Sequence, residues 1–277
     1  MSVDAVLKNK FVDAELTYII DDGKPSIRYV DWPEENHNER LASYELKRTR
    51  IFNGRLLENP PKLNNFGFEL LKRKSAVSNF YDETEVKELY YSETAEIIQQ
   101  ESGATSVHVF DHTVRTPDTS THKKGWVRSP VRYVHNDYTE RSAAQRVKDF
   151  FPDEAADLFK KRFAIIQTWR SIGDRVESEP LALCDGKTIP ETGFIRNERR
   201  YRNRTAETYH ISYNPAHEWY YFPHMTNEEL LIFKVFDTSQ EVDVRFTAHT
   251  AFSDPNTNPN APARQSIEMR ALAFFSS

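Results

Sequence analysis

The stretch Val131-Arg132-Tyr133-Val134-His135-Asn136-Asp137-Tyr138-Thr139 governs the reading of the whole chain. Its first four residues have strand composition, and an extended segment carries residues two apart on the same side. The imidazole of His135 and the carboxylate of Asp137 therefore converge on one point, where a single ion can bridge them. A histidine two residues before an acid is a weak signal alone. His37-Asn38-Glu39 has the same form, but it lies in a charged run and is set aside. The far end of the chain adds weight. Arg245-Phe246-Thr247-Ala248-His249-Thr250-Ala251-Phe252 is strand-like and brings a third donor, His249. Further on, Arg264-Gln265-Ser266 places a guanidinium and a hydroxyl on one strand face.

Working outward, the second half of the chain reads as a series of strands, over residues 163–169, 208–213, 219–222, 230–236, 242–251 and 265–275. Clusters of Pro and Asn separate several of them. Residues 105–110 and 131–134 read as earlier strands. Short strands at fairly regular spacing predict a sandwich or jelly-roll rather than a parallel α/β sheet. Helices are predicted over residues 82–103, 139–150 and 153–161. Asp82 and Glu85 have capping-box spacing at the start of the first. Residues 1–65 are punctuated by Asp21-Asp22-Gly23-Lys24-Pro25 and Asn59-Pro60-Pro61, and read as an irregular N-terminal extension of a single domain spanning residues 1–277.

Composition narrows the chemistry. The 277 residues carry 37 Lys+Arg against 42 Asp+Glu, a net charge of −5, which disfavours sequence-independent nucleic-acid binding. A lone cysteine, Cys184, excludes a disulfide framework, all-cysteine zinc sites and iron–sulfur clusters. Eight glycines disfavour a glycine-rich phosphate loop, while 18 Phe and 13 Tyr suit a β-rich core or a pocket for an organic ligand. No apolar run approaches the ~18 residues of a membrane span, and neither terminus carries a targeting pattern. A cytoplasmic location is expected.

Two His and one carboxylate with coordination positions left open form the facial triad of non-haem Fe(II) oxygenases. A guanidinium pairs bidentately with a carboxylate, and a serine hydroxyl adds a hydrogen bond. The ordered set of His135, Asp137, His249 and then Arg264 with Ser266 resembles the Fe(II)/2-oxoglutarate-dependent dioxygenases. The resemblance narrows to the fungal hydroxylase/desaturase group, with the gibberellin desaturase and cephamycin hydroxylase-like proteins and the aspergillic acid cluster enzyme. It is carried by residues 131–139, Thr168-Trp169-Arg170, Pro180-Leu181-Ala182-Leu183-Cys184-Asp185, Tyr213-Asn214-Pro215-Ala216-His217-Glu218-Trp219 and His249-Thr250-Ala251-Phe252, within a match over residues 60–275.

The resemblance implies a mainly β fold with flanking helices and a double-stranded β-helix (jelly-roll, cupin-like) core over residues 105–275. It implies Fe(II), 2-oxoglutarate and O2 as reactants, a small organic metabolite as substrate, and hydroxylation, desaturation or oxidative cyclisation at an unactivated C–H bond. Arg264 and Ser266 are expected to hold the distal carboxylate of 2-oxoglutarate. The competing role for Arg264 is a salt bridge to Glu268, which shares its strand face. Arg270 is a second candidate cosubstrate contact or a structural partner of Glu268. Gln167 is a candidate donor to the cosubstrate, and Arg170 a candidate partner for an acidic substrate. Tyr133, Trp169, Tyr213 and Trp219 are candidate pocket aromatics. His112, His210, His217 and His224 have no assigned role, and residues 253–263 are expected to border the active-site mouth. Two alternatives stay open: a non-catalytic jelly-roll that binds a small molecule, and an iron cupin oxygenase that uses no 2-oxoglutarate. Oligomeric state is not encoded in any readable feature.

Overall fold

A computed structural model describes residues 3–118, 120 and 125–276. Two sheets face each other. The smaller runs in the order β4 (Phe68–Lys72), β13 (Glu229–Asp237), β8 (Phe163–Ser171), β15 (Ser266–Phe274), β5 (Ser106–Arg115), β6 (Val127–Arg128). The larger runs β1 (Phe11–Ile19), β3 (Tyr44–Asn53), β12 (Trp219–Tyr221), β9 (Leu181–Cys184), β14 (His249–Ala251), β7 (His135–Asn136), β11 (Thr205–Ile211), β10 (Phe194–Arg200), β2 (Ser26–Tyr29). This is the expected β-dominated double-stranded architecture with helices at its flanks.

Every residue of β8 and β15 is buried. Alternation then sorts their side chains between two cores. From β15, Ile267, Met269, Ala271 and Ala273 enter an outer core shared with Val86, Tyr90, Ile97 and Ile98 of the helical layer. Leu272 and Phe274 enter the inter-sheet core with Phe163, Trp169, Leu183 and Phe233. Each fully buried large side chain contributes about 1.5–3 kcal/mol of transfer free energy, so burial on two faces fixes the position of β15. On its inward face the residues change from Ser266, Glu268 and Arg270 to Leu272 and Phe274. One end of the sandwich is thereby left polar and the other is filled.

The helical layer forms from residue 83 to residue 102, as α2 (Glu83–Glu85), a wider π turn over Val86–Tyr90, and α3 (Tyr91–Ser102). Asp82 caps it by accepting from the backbone N–H of Thr84 and Glu85. The expected reciprocal capping box is absent, because the Glu85 carboxylate accepts from Ser78 and Asn79 instead. Gly103 ends the helix at φ 74°, a left-handed conformation natural for glycine. Helix α4 (Glu140–Phe150) starts three residues after Asp137, with Thr139 and Ser142 forming its capping box. A shorter α5 (Ala155–Leu158) follows.

Three expectations change. Residues 1–65 are not an irregular extension: after the short α1 (Val3–Lys8), they supply β1, β2 and β3 of the larger sheet. Val12, Ala14, Leu16 and Tyr18 of β1 pack with Ile51, Ala182, Trp219 and Phe252. The strand expected over 131–134 is reduced to β7, with Tyr133 making only an isolated bridge to Thr17. The strand expected over 242–251 is reduced to β14. Val244 and Phe246 signalled burial rather than pairing, and Phe246 packs against Phe194, Tyr209 and Phe236.

Candidate metal centre

Strand register assembles the centre. His135 on β7 is directly opposite His249 on β14 and, on its other side, His210 on β11. Three histidines thus form one rung across three adjacent strands. The ligand atoms of His135, Asp137 and His249 all lie within 4.8 Å of one another, although 114 residues of chain separate His135 from His249. His135 Nδ1 is 2.8 Å from the carbonyl oxygen of Tyr133, which orients the ring so that Nε2 faces Asp137 Oδ1 at 3.4 Å. A histidine whose other nitrogen donates to a backbone carbonyl is the arrangement of a metal ligand. The His249 ring lies 4.3 Å from that of His135, centroid to centroid, and 5.0 Å from that of Phe233. His210 remains outside the triad: its Nδ1 is 2.8 Å from the Tyr44 hydroxyl, and its ring packs tilted against that of Tyr133, centroids 4.6 Å apart.

The second oxygen of Asp137 is held from the opposite sheet. Asp137 Oδ2 accepts from Gln167 Nε2 at 2.7 Å and from Arg270 Nε at 3.2 Å. Burial raises the pKa of Asp137, but the Arg270 charge and the His135 interaction outweigh it and hold the carboxyl well below its ordinary range. Burial, with His135 beside it, pushes His249 down to about 3 and keeps its imidazole neutral, the form that binds a metal. A buried carboxylate and two neutral imidazoles fit a divalent transition metal with a mixed N/O donor set.

Arg270 is not available as a second cosubstrate contact. Besides Asp137, its guanidinium donates to Asp111 at 3.0 Å, to Thr113 at 3.1 Å and to Glu268. Glu268 also accepts from Arg115 at 2.6 Å. Burial raises the Glu268 pKa, yet these two arginines bring it down to about 2. Gln167 likewise serves Asp137. Arg170 lies on the opposite face of β8, where it donates to the Tyr90 hydroxyl at 2.8 Å and to the Asn227 carbonyl at 3.3 Å. That contact with the helical layer gives it a structural role.

Arg264 lies on the inner side, its guanidinium 5.5 Å from the centre of the Trp169 ring. It is 3 % exposed, and among the described residues its one hydrogen bond goes to the carbonyl oxygen of Glu179, at 2.6 Å. Its Nε and the Ser266 hydroxyl are both buried without a partner among the described residues. The competing salt bridge to Glu268 does not form, because that carboxylate is engaged by Arg115 and Arg270. Burial lowers the Arg264 pKa to about 10, which leaves the guanidinium charged at neutral pH.

A cavity of about 510 Å³ opens over His135 and Asp137, lined also by Tyr133, His210, the Ser142–Asp149 side of α4 and the β10–β11 hairpin, while His249 does not reach its wall. Tyr133 lines this cavity. Trp169 is beneath Arg264 and does not line the cavity. Trp219 is fully buried with its Nε1 donating to the Tyr18 hydroxyl at 2.8 Å, and Tyr213 packs edge-on to the same Tyr18, so neither lines it. Residues 253–263 are absent from its wall. Sequence reading missed the hairpin wall, including Arg199 and Arg204. Its mostly charged residues 196–200 carry no hydrophobic alternation to mark a strand.

Fold and centre together define an Fe(II)/2-oxoglutarate-dependent oxygenase. A family model described as an oxidoreductase/YMDC permease-like domain matches residues 16–274. Among the described residues no helix is long and apolar enough to cross a membrane. The chain is 31% identical over 240 residues to the alpha-ketoglutarate-dependent dioxygenase phiK of a fungal species, covering 83% of this chain and 85% of that protein. It is 31% identical over 237 residues to the hydroxylase/desaturase efuI of Hormonema carpetanum, covering 77% and 78%. The solved iron and alpha-ketoglutarate-dependent endoperoxidase NvfI superposes with a TM-score of 0.87 over 97% of this chain and 99% of its own, at 23% identity, a likeness of fold. The chain belongs to the fungal Fe(II)/2-oxoglutarate-dependent hydroxylase/desaturase family.

Proposed function

We propose that this oxygenase removes hydrogen from an unactivated C–H bond of a specialised metabolite, giving hydroxylation, desaturation or ring closure, with Arg264 and Ser266 holding the distal carboxylate of 2-oxoglutarate. One observation carries the residue assignment: a buried guanidinium and a buried hydroxyl, both with polar atoms orphaned among the described residues, at the start of β15, the strand whose Arg270 holds the Asp137 ligand. Leaving such groups unsatisfied costs about 1–3 kcal/mol each, and a carboxylate placed between them removes that cost.

His135, Asp137 and His249 would hold Fe(II), which would supply O2 activation coupled to oxidative decarboxylation of 2-oxoglutarate to succinate. The chain itself does the rest. The Tyr133 carbonyl fixes the His135 ring, while Gln167 and Arg270 lock the Asp137 carboxylate. Phe233 and the inter-sheet core close the inner side against water. A small metabolite rather than a polymer is favoured because the recess over His135 and Asp137 is of small-molecule size. Binding of 2-oxoglutarate to the Fe(II) protein, compared between wild type and Arg264→Gln, tests the assignment. Unchanged affinity in the variant refutes it.

A further inference from the structure

The cavity wall carries charge that neither the triad nor the cosubstrate site uses. Seven arginines and three acidic residues line it. Four of the arginines have carboxylate partners. Arg115 and Arg270 share Glu268, Arg141 is 3.2 Å from Glu207, and Arg146 is 3.0 Å from Asp149. The three acids are engaged as well, Asp137 being a metal ligand. Arg128, Arg199 and Arg204 remain, and among the described residues none of them meets a carboxylate. Arg204 rests on the Tyr201 ring at 4.1 Å.

Like charges gathered in a recess repel one another, and low-dielectric walls focus their field outward through the opening. Such a wall is complementary to an anion. That anion is not the distal carboxylate of 2-oxoglutarate, since Arg264 and Ser266 do not line the cavity. Arg199 is the half-buried member of the three, and its charge acts on Tyr44 and His210. It lies opposite Ala206 in the β10–β11 ladder, four residues along β11 from His210 in the triad rung. At strand rise that separation is roughly 13 Å, less the reach of the side chain.

We propose that the cavity selects a metabolite bearing a carboxylate remote from the carbon that reacts, with Arg199 as its principal anchor and Arg128 and Arg204 guiding it in. The proposal rests on the oxygenase reading and adds the substrate's charge class.

The test uses the Fe(II)/2-oxoglutarate holoprotein without O2 and a panel of long-chain and polycyclic carboxylic acids, each paired with its primary amide. Binding is read as a perturbation of the visible iron–2-oxoglutarate band. The acids are expected to bind and their amides to bind at least roughly tenfold more weakly, the loss expected for charge-assisted hydrogen bonds. Acid affinity should fall with added salt. Arg199→Gln should weaken the acids by a similar factor and leave 2-oxoglutarate affinity unchanged, with Arg199→Lys intermediate. Acids and amides binding equally, no member of the panel binding, or Arg199→Gln binding acids as wild type does would each overturn the proposal. Failure of the oxygenase reading is separable, because the visible band would then be absent before any probe is added.

Discussion

Arg270 Nε lies 3.2 Å from Asp137 Oδ2, the oxygen turned away from His135, so a guanidinium on one sheet sets the direction of a metal ligand attached to the other. A β-bulge at this point reinforces the contact. The β15–β5 register shifts between Arg270 and Ala271, which skips Phe110 and brings Asp111 opposite Arg270. Bulges re-aim side chains in this way. Asp111, Thr113 and Glu268 complete the support, and Arg115 ties Glu268 to β5.

Removing that support should weaken the metal more than it alters the fold. Arg270→Gln and Gln167→Ala are each expected to reduce Fe(II) affinity by about 10–100-fold, the usual effect of losing a group that orients a metal ligand. Arg270→Gln should also lower the melting temperature, because it leaves Glu268 buried with Arg115 alone. Anaerobic iron titration beside thermal unfolding separates the two effects, and unchanged iron affinity in both variants would show that Asp137 needs no external positioning.

Arg264→Gln is expected to raise the 2-oxoglutarate concentration needed for half-saturation by at least about tenfold while leaving iron affinity near that of wild type. The charge-assisted hydrogen bonds it removes are worth about 1.5–3 kcal/mol. Ser266→Ala should act in the same direction with a smaller effect. Parallel 2-oxoglutarate and iron titrations distinguish this pattern from general damage, which would move both affinities.

Arg170 offers the contrasting case. Arg170→Met should destabilise the fold by about 1–3 kcal/mol, since it removes the guanidinium donor to the buried Tyr90 hydroxyl. The KM for 2-oxoglutarate should not change. Urea unfolding and steady-state kinetics test the two halves of this statement, and a raised KM with unchanged stability would place Arg170 at the site.

His217 makes stability depend on pH. It is buried against Tyr18, and burial lowers its pKa to about 4. The unfolded chain therefore takes up a proton near pH 6.5, while the folded chain does so only near 4. The stabilising preference for the neutral ring is complete above pH 6.5 and is lost as the pH falls towards 4. Urea midpoints of wild type should drop more between pH 7 and pH 5 than those of His217→Phe. Equal drops would assign the acid sensitivity elsewhere.

The triad was legible because its geometry is local on one side and simple on the other. His135 and Asp137 are two residues apart in an extended segment, and His249 belonged to a recognisable strand end. The alternation of Ser266, Glu268 and Arg270 against Ile267, Met269 and Ala271 also predicted the two faces of β15. The N-terminal strands were not legible. β1 pairs with β3, and β3 pairs in parallel with β12, so their support comes from sequence far away, and the charged residues of β3 mask its buried positions Thr49, Ile51 and Asn53. The partner of a polar side chain is equally non-local. Nothing in the sequence distinguishes Arg264, left without a carboxylate, from Arg270, which has three. The face of β8 that separates Gln167 from Arg170 follows from alternation, but which face meets the metal depends on the opposite sheet.

The most direct test of the account is the anaerobic titration of Fe(II) and 2-oxoglutarate into the wild-type protein, followed by the visible metal-to-ligand absorption band. The account predicts a saturable band that is abolished by His135→Ala and shifted to higher 2-oxoglutarate concentration by Arg264→Gln. A wild-type protein that gives no band, or a band that survives His135→Ala unchanged, would contradict it.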